Sequence, residues 1–202
     1  EDSLLDLRLT SEDYYPTVAV MALMRIMKDP SLSMHHSSVA QAIMYVFKSL
    51  GLRCTKFLPK VMPQFFHVMR VCDLQRRQFL FQQLGVLVSL IKQYIREYLP
   101  TILELIHEYW NSTLIQQILT LVQEISLALG DEFKKYLPSL MPQMLAILQT
   151  DKSAQRRPTR AVLHALEVIG TNLDGSVHLL VPAVVRLVEA PTPLPVRKQA
   201  MN

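Results

Sequence analysis

The sequence predicts an all-α solenoid built from helix pairs, and three observations carry that prediction. A leucine-proline signal returns about every forty residues: Phe57-Leu58-Pro59, Tyr98-Leu99-Pro100 and Tyr136-Leu137-Pro138, with a weaker copy at His178-Leu179-Leu180-Val181-Pro182 and an early relative at Tyr14-Tyr15-Pro16. Pro16 to Pro59 is 43 residues, Pro59 to Pro100 is 41, Pro100 to Pro138 is 38 and Pro142 to Pro182 is 40. Turn or cap residues keep the same beat at Asp29, Asp73, Asn111 and Asp151. Between these marks the apolar residues follow a helical period.

A two-helix period of roughly 40–47 residues is the mark of HEAT-type repeats. The boundaries place repeats over 13–51, 56–92, 97–130 and 133–170, with an incomplete fifth over 174–202. Residues 1–12 read as a linker or the end of a preceding loop. The first repeat's second helix carries Val39, Ile43, Val46, Phe47 and Leu50, all on one face. In the second repeat, helix A is predicted from Lys56 to Val71, with Leu58, Val61, Met62, Phe65, Phe66, Val68 and Met69 as its apolar stripe. Its prolines lie in or near the first turn, where a missing N–H costs little. Asp73 can cap helix B, Leu74 to Ile91. The third repeat's helix B carries Leu114, Ile118, Val122, Ile125 and Leu129.

Gly51, Gly130 and Gly170 follow B helices, where a left-handed residue is wanted. Each falls eight residues before Pro59, Pro138 and His178. Lys92 holds that place in the second period. Gly85, inside a B helix, suits a close crossing or a mild kink. The fifth repeat opens its second helix with Val196-Arg197-Lys198-Gln199-Ala200 and then stops. Solenoid ends normally carry polar capping repeats. Neither end has one, so the chain reads as a piece of a longer, elongated and gently superhelical array, truncated at both ends.

Composition narrows the function. Of 202 residues, 50% are hydrophobic and 19% charged, enough apolar material for a sizeable core. The formal charge of +4 is a mild excess, densest at Arg156, Arg157 and Arg160. It lacks the aromatic or motif support of a nucleic-acid reader. Two cysteines, Cys54 and Cys72, make neither a disulfide framework nor a four-ligand zinc site. They read as reduced, buried small hydrophobes in an intracellular protein. Apolar stretches are short and broken by charged residues, so no membrane span is expected, and no lipidation motif is present.

No phosphate-cradling glycine loop, Asp-Phe-Gly or His-Arg-Asp triplet, or Gly-x-Ser-x-Gly elbow occurs. His35 and His36 are adjacent on a predicted helix, so their rings point apart and suit no shared metal. Catalytic, cofactor-binding and metal-ligating residues are therefore expected to be none.

The residues singled out as partner-facing are Arg76, Arg77, Trp110, Arg156, Arg157, Arg160 and Arg197. Arg76-Arg77, Arg156-Arg157 and Arg197 recur near the starts of B helices, as an arginine ladder for binding or for contact between repeats. Trp110 fits a core anchor and also an exposed hot spot. The methionines Met21, Met24, Met27, Met62, Met69, Met141 and Met144 fit core gap-filling and also a docking surface. Arg156-Arg157-Pro158-Thr159 fits a basic kinase-substrate pattern and also an ordinary helix start.

Several stretches carry a more specific likeness. Val20-Met21-Ala22-Leu23-Met24-Arg25-Ile26, Arg70-Val71-Cys72-Asp73 and Phe79-Leu80-Phe81-Gln82-Gln83-Leu84-Gly85 resemble the HEAT solenoid of target of rapamycin (TOR) kinases. So do Asn172-Leu173-Asp174 and Pro193-Leu194-Pro195-Val196-Arg197-Lys198. The likeness covers nearly all of residues 13–200 and leans towards a fungal relative. It implies a middle, bridging HEAT segment of a large phosphatidylinositol-3-kinase-related serine/threonine protein kinase that controls growth in response to nutrients. The kinase domain, with its ATP and Mg, would lie far downstream. The segment itself would need no cofactor and would have no activity. The resemblance further implies dimer contacts with a second copy, docking of a Raptor-type subunit, and a cytoplasmic setting with vacuolar or lysosomal membrane reached through partners. A stand-alone HEAT adaptor, such as a transport or phosphatase scaffold, is the rival reading. An all-helical enzyme is disfavoured, because no converging polar groups are visible.

Overall fold

A computed structural model describes residues 12–173, 175, 177–188 and 192–201. Most of the predicted 1–12 linker lies outside those residues. Glu12 is described, and its carboxylate pairs with Arg53 at 2.9 Å. Every regular element among the described residues is helical. The chain divides into two compact units, residues 1–104 and 105–202.

The first unit holds α1 (Tyr14–Lys28), α2 (His36–Leu50), α3 (Leu58–Val71) and α4 (Leu74–Ile91), and it takes in the start of α5 (Leu99–Tyr109). Within it α1 packs on α2 and α3, α2 on α4, and α3 on α4. First helices therefore form one layer and second helices the other, as expected of repeats that bury a shared face. The core takes in the predicted residues Val39, Ile43, Phe47 and Leu50 from α2 and Phe65, Phe66 and Met69 from α3, and α4 adds Leu80, Phe81, Leu84 and Val88. Val46, expected with them, is only half-buried. Phe47 stacks on Phe57, their ring centroids 6.2 Å apart. Each such side chain contributes about 1.5–3 kcal/mol by leaving water.

The second unit contains the end of α5, then α6 (Ile115–Leu129), α7 (Leu137–Thr150), α8 (Arg157–Val168), α9 (Val177–Val188) and α10 (Leu194–Ala200). Here α6 packs on α8, α7 on α8 and α9, and α10 on both α8 and α9. The apolar set predicted for α6 is buried throughout, from Leu114 to Leu129. A buried polar pair ties α6 to the end of the next pair: Asn172 Nδ2 donates to Ser126 Oγ at 2.9 Å. On α9, Leu180, Ala183 and Leu187 are buried, whereas Val177, Val181 and Val185 are exposed.

Several boundaries differ from the prediction for identifiable reasons. Helix A of the second repeat begins at Leu58, and Lys56 belongs to a 3-10 helix over Gly51–Phe57. Similar 3-10 helices precede α5 and α7. Pro59 occupies the first turn of α3, but Pro63 lies inside it, as Pro142 does in α7. Each inner proline removes the bond to the carbonyl four residues back, which is Pro59 or Pro138. The second helix of the fifth repeat opens at Leu194, two residues before the predicted Val196.

The turns show which cap signals carried weight. Asp73 accepts from Arg76 N at 2.9 Å and caps α4 as predicted. Asn111 does not cap α6, which has no side-chain cap; in the turn before it Ser112 accepts from Leu114 N. Gly51 and Gly130 have φ of 56° and 56°, with ψ of −137° and −131°. That is a positive-φ bend rather than the left-handed helical conformation. Lys92 adopts the same bend at φ 49°, ψ −124°. Gly170 does not, and instead starts a 3-10 turn over Gly170–Asn172.

Candidate partner-docking surface

The arginines singled out from the sequence do different jobs. Arg77 is a structural clamp. Its Nε donates to the Met69 carbonyl at 2.7 Å, and its Nη2 donates to those of Cys72 at 2.6 Å and Arg70 at 3.1 Å. The Met69 and Arg70 carbonyls belong to the last turn of α3 and that of Cys72 to its C-cap, where oxygens have no helical partner and the helix dipole ends negative. A guanidinium with several forked donors suits that place. Arg77 is thereby committed to the fold while its residue stays half-buried. Its neighbour Arg76 pairs with Asp73 at 3.3 Å and keeps a third of its side chain exposed.

Trp110 leaves the partner-facing set. It lies in the turn after α5, 4% exposed, with its indole N–H unpartnered. The core reading holds, because a residue so covered cannot lead a docking contact. Among the methionines, Met24, Met27, Met62, Met69, Met141 and Met144 are buried. Met21 is half-buried and lines a groove of about 780 Å³ between α1 and α3, with Lys56, Pro59 and Lys60.

The α7–α8 connection is organised by Asp151. One carboxylate oxygen accepts from the Ser153 backbone and hydroxyl at 3.0 and 2.7 Å. The other accepts from the Thr159 backbone at 3.1 Å and its hydroxyl at 2.7 Å. Burial works to raise the pKa of Asp151, but the hydrogen bonds from Ser153 and Thr159 outweigh it and hold the carboxyl below its ordinary value. Thr159 is fully buried with its hydroxyl committed to Asp151. The kinase-substrate reading of Arg156-Arg157-Pro158-Thr159 is thereby overturned, since a kinase needs that hydroxyl exposed. The alternative holds: Pro158 sits in the first turn of α8 and Arg156, at φ 43°, is its N-cap residue.

Arg157 and Arg160 are exposed on α8. They line a cleft of about 510 Å³ with Gln116 of α6, Ala161 and His164 of α8, and Gln199 of α10. Gln199 Nε2 donates to the Arg160 carbonyl at 3.1 Å, which fixes α10 against α8. Arg157 Nε donates to Gln155 at 2.7 Å. His164 lies 3.5 Å from Glu167. Arg197 is half-buried, and its Nε is covered without a partner. Arg157 and Arg160 were singled out from the sequence, and His164 was not, although helical spacing puts it on their face. Gln116 and Gln199 were not either, because they join that face only through packing of α6 and α10 on α8.

The cysteines complete the chemistry. Cys54 is fully buried and burial pushes its thiol up to about 11. Cys72 is half-buried; burial raises its thiol too, against the opposing pull of the Arg77 guanidinium. Both stay protonated at neutral pH, which makes them poor nucleophiles. His36 is buried and donates through Nε2 to the Asp29 carbonyl at 3.1 Å. Among the described residues no group of His, Cys, Asp and Glu converges for a metal, and no helix is long and apolar enough to cross a membrane.

Comparison with known proteins follows the same lines. Residues 2–92 match the family described as "Serine/threonine-protein kinase mTOR domain". The chain is 41% identical over 203 residues to the serine/threonine-protein kinase TOR of Arabidopsis thaliana, covering 96% of this chain and 8% of that protein. It is 43% identical over 182 residues to the serine/threonine-protein kinase mTor of Drosophila melanogaster, and 41% identical over 181 residues to the serine/threonine-protein kinase TOR2 of Saccharomyces cerevisiae. Each of these two alignments covers 89% of this chain and 7% of the relative. Plant, insect and yeast sequences are equally similar, so the fungal leaning gains no support.

Proposed function

This chain belongs to the TOR family of serine/threonine-protein kinases, and from that premise we propose that it is a non-catalytic scaffold segment of such a kinase. The observation that carries the reading is the pairing of 41–43% identity along most of this chain with coverage of only 7–8% of its relatives. The name of those relatives describes an activity, and these 202 residues contain neither an Asp-Phe-Gly nor a His-Arg-Asp triplet to supply it. ATP and Mg would be used by another part of the parent kinase. Stacked helix pairs present long edges at little cost in side-chain entropy, which suits docking. The segment would contact a second copy of the kinase and a Raptor-type regulatory subunit in a nutrient-responsive growth kinase. Its setting would be the cytoplasm, with vacuolar or lysosomal membrane reached through partners. The edge residues offered for contact are Arg76, Arg156, Arg157, Arg160 and Arg197.

The test is cross-linking mass spectrometry on the native assembly carrying this chain, reading exposed Lys48 and Lys152. Cross-links to a second copy and to a regulatory subunit are expected. A denatured polypeptide near 23.2 kDa with no such cross-links would favour the stand-alone adaptor. ATP turnover by the purified segment would refute its non-catalytic role.

A further inference from the structure

We propose that the cleft along α8 is a docking groove for an acidic peptide segment of a protein partner. This deepens the scaffold reading and rests on it. Several surface cations are matched by carboxylates, among them Arg53 with Glu12, Lys56 with Asp13, Arg70 with Glu104 and Lys134 with Asp131. Arg157 and Arg160 have no carboxylate partner among the described residues, and no carboxylate lines the cleft they share. The nearest acid on that helix, Glu167, is engaged by His164. Two guanidiniums spaced i, i+3 stand about 5–6 Å apart at their bases. Alternate side chains on one face of an extended peptide repeat at about 6.6–6.8 Å. The two spacings let successive acidic side chains each meet one guanidinium, which is the stronger class of hydrogen bond.

The rest of the lining fits a polypeptide. Gln116 and Gln199 offer side-chain amides, which match the donors and acceptors of a peptide backbone. The cleft shares Gln116, Arg157 and Ala161 with a neighbouring groove of about 830 Å³ along the α5–α6 and α7–α8 turns. That groove continues the path past Asn111, Ser112 and Thr113. Its one carboxylate, Asp151, is occupied by Ser153 and Thr159. No Phe, Tyr or Trp side chain lines either groove. Single-stranded nucleic acid relies on such stacking platforms, so the peptide is the better occupant.

The experiment titrates the full-length polypeptide carrying this chain against a fluorescein-labelled peptide alternating Glu and Ala, read by anisotropy. A peptide with Gln in place of each Glu is the control. The variant R157Q/R160Q changes two exposed side chains, and R25Q/K28Q removes the same charge from α1. We expect R157Q/R160Q to weaken binding of the Glu peptide by about tenfold or more, with R25Q/K28Q within about twofold of the parent. R157K/R160K should recover part of the loss by restoring charge without the fork. Equal affinity for the Glu and Gln peptides would overturn the proposal. So would unchanged binding by R157Q/R160Q, or tighter binding of an oligonucleotide of equal charge that R157Q/R160Q abolishes. Failure of the scaffold reading would show separately, as missing cross-links to a second copy, which this titration does not touch.

Discussion

Replacing Lys92 by glycine should stabilise the protein, although it removes a side chain. Lys92 sits at φ 49°, ψ −124°, the bend that Gly51 and Gly130 make at the equivalent place in neighbouring repeats. A side chain in so sparsely populated a region costs about 1–3 kcal/mol. Glycine removes that cost but gives the unfolded chain more freedom, worth about 0.5–1 kcal/mol in the other direction. The difference centres near 1 kcal/mol in favour of Lys92→Gly, or about 2–4 °C in melting temperature for a chain of this size. Lys92 is exposed, so little packing is lost. The reverse experiment is Gly130→Ala. An added Cβ there meets nothing within 4 Å, so any loss comes from the backbone alone. It should destabilise by about 1 kcal/mol. Thermal unfolding followed by far-UV circular dichroism reads both variants. A lower melting temperature for Lys92→Gly, together with an unchanged one for Gly130→Ala, would refute the argument that backbone strain governs this position.

Other substitutions and conditions probe the remaining features. Arg77→Met should cost about 1–3 kcal/mol, because it strands the carbonyls of Met69, Arg70 and Cys72; Arg157→Ala should stay within about 0.5 kcal/mol, and urea midpoints compare the two. The carboxyl of Asp151 is held below its ordinary value, so its contribution is present above the unfolded value of about 3.9 and is lost as pH falls through the folded one. Asp151→Asn should therefore be less stable than the parent at pH 6, with the gap narrowing on acidification below about pH 4, as pH-dependent melts would show. With Cys54 raised to about 11 and fully buried, iodoacetamide at pH 8 should label Cys72 well before Cys54, measured by peptide mass spectrometry.

The sequence by itself determined the fold class and nearly all of the core. The reason is periodicity: a helix that buries one face must place an apolar residue every third or fourth position, and this is written in the order of residues. Hence α4, α6 and the stripe of α3 stand where they were expected. The Asp73 cap was legible for a similar reason, since its acceptor and its donor are three residues apart. Family likeness was legible because turns and their lengths matched along with the apolar rhythm.

Tertiary structure alone decided which polar residues serve the fold and which remain for a partner. Arg76 and Arg77 are adjacent and both half-buried, yet one pairs with a carboxylate while the other is drawn onto carbonyls seven and eight residues back, across the turn. Thr159 looked like a modification site until the fold placed Asp151 against it from eight residues away. Trp110 could be surface or core until burial decided it. The α8 cleft draws Gln116, Arg157 and Gln199 from three helices over a span of 83 residues. Helical period fixes which way a side chain faces along its own axis. What lies opposite that face depends on how the helices stack, and one helix's sequence does not contain that distance.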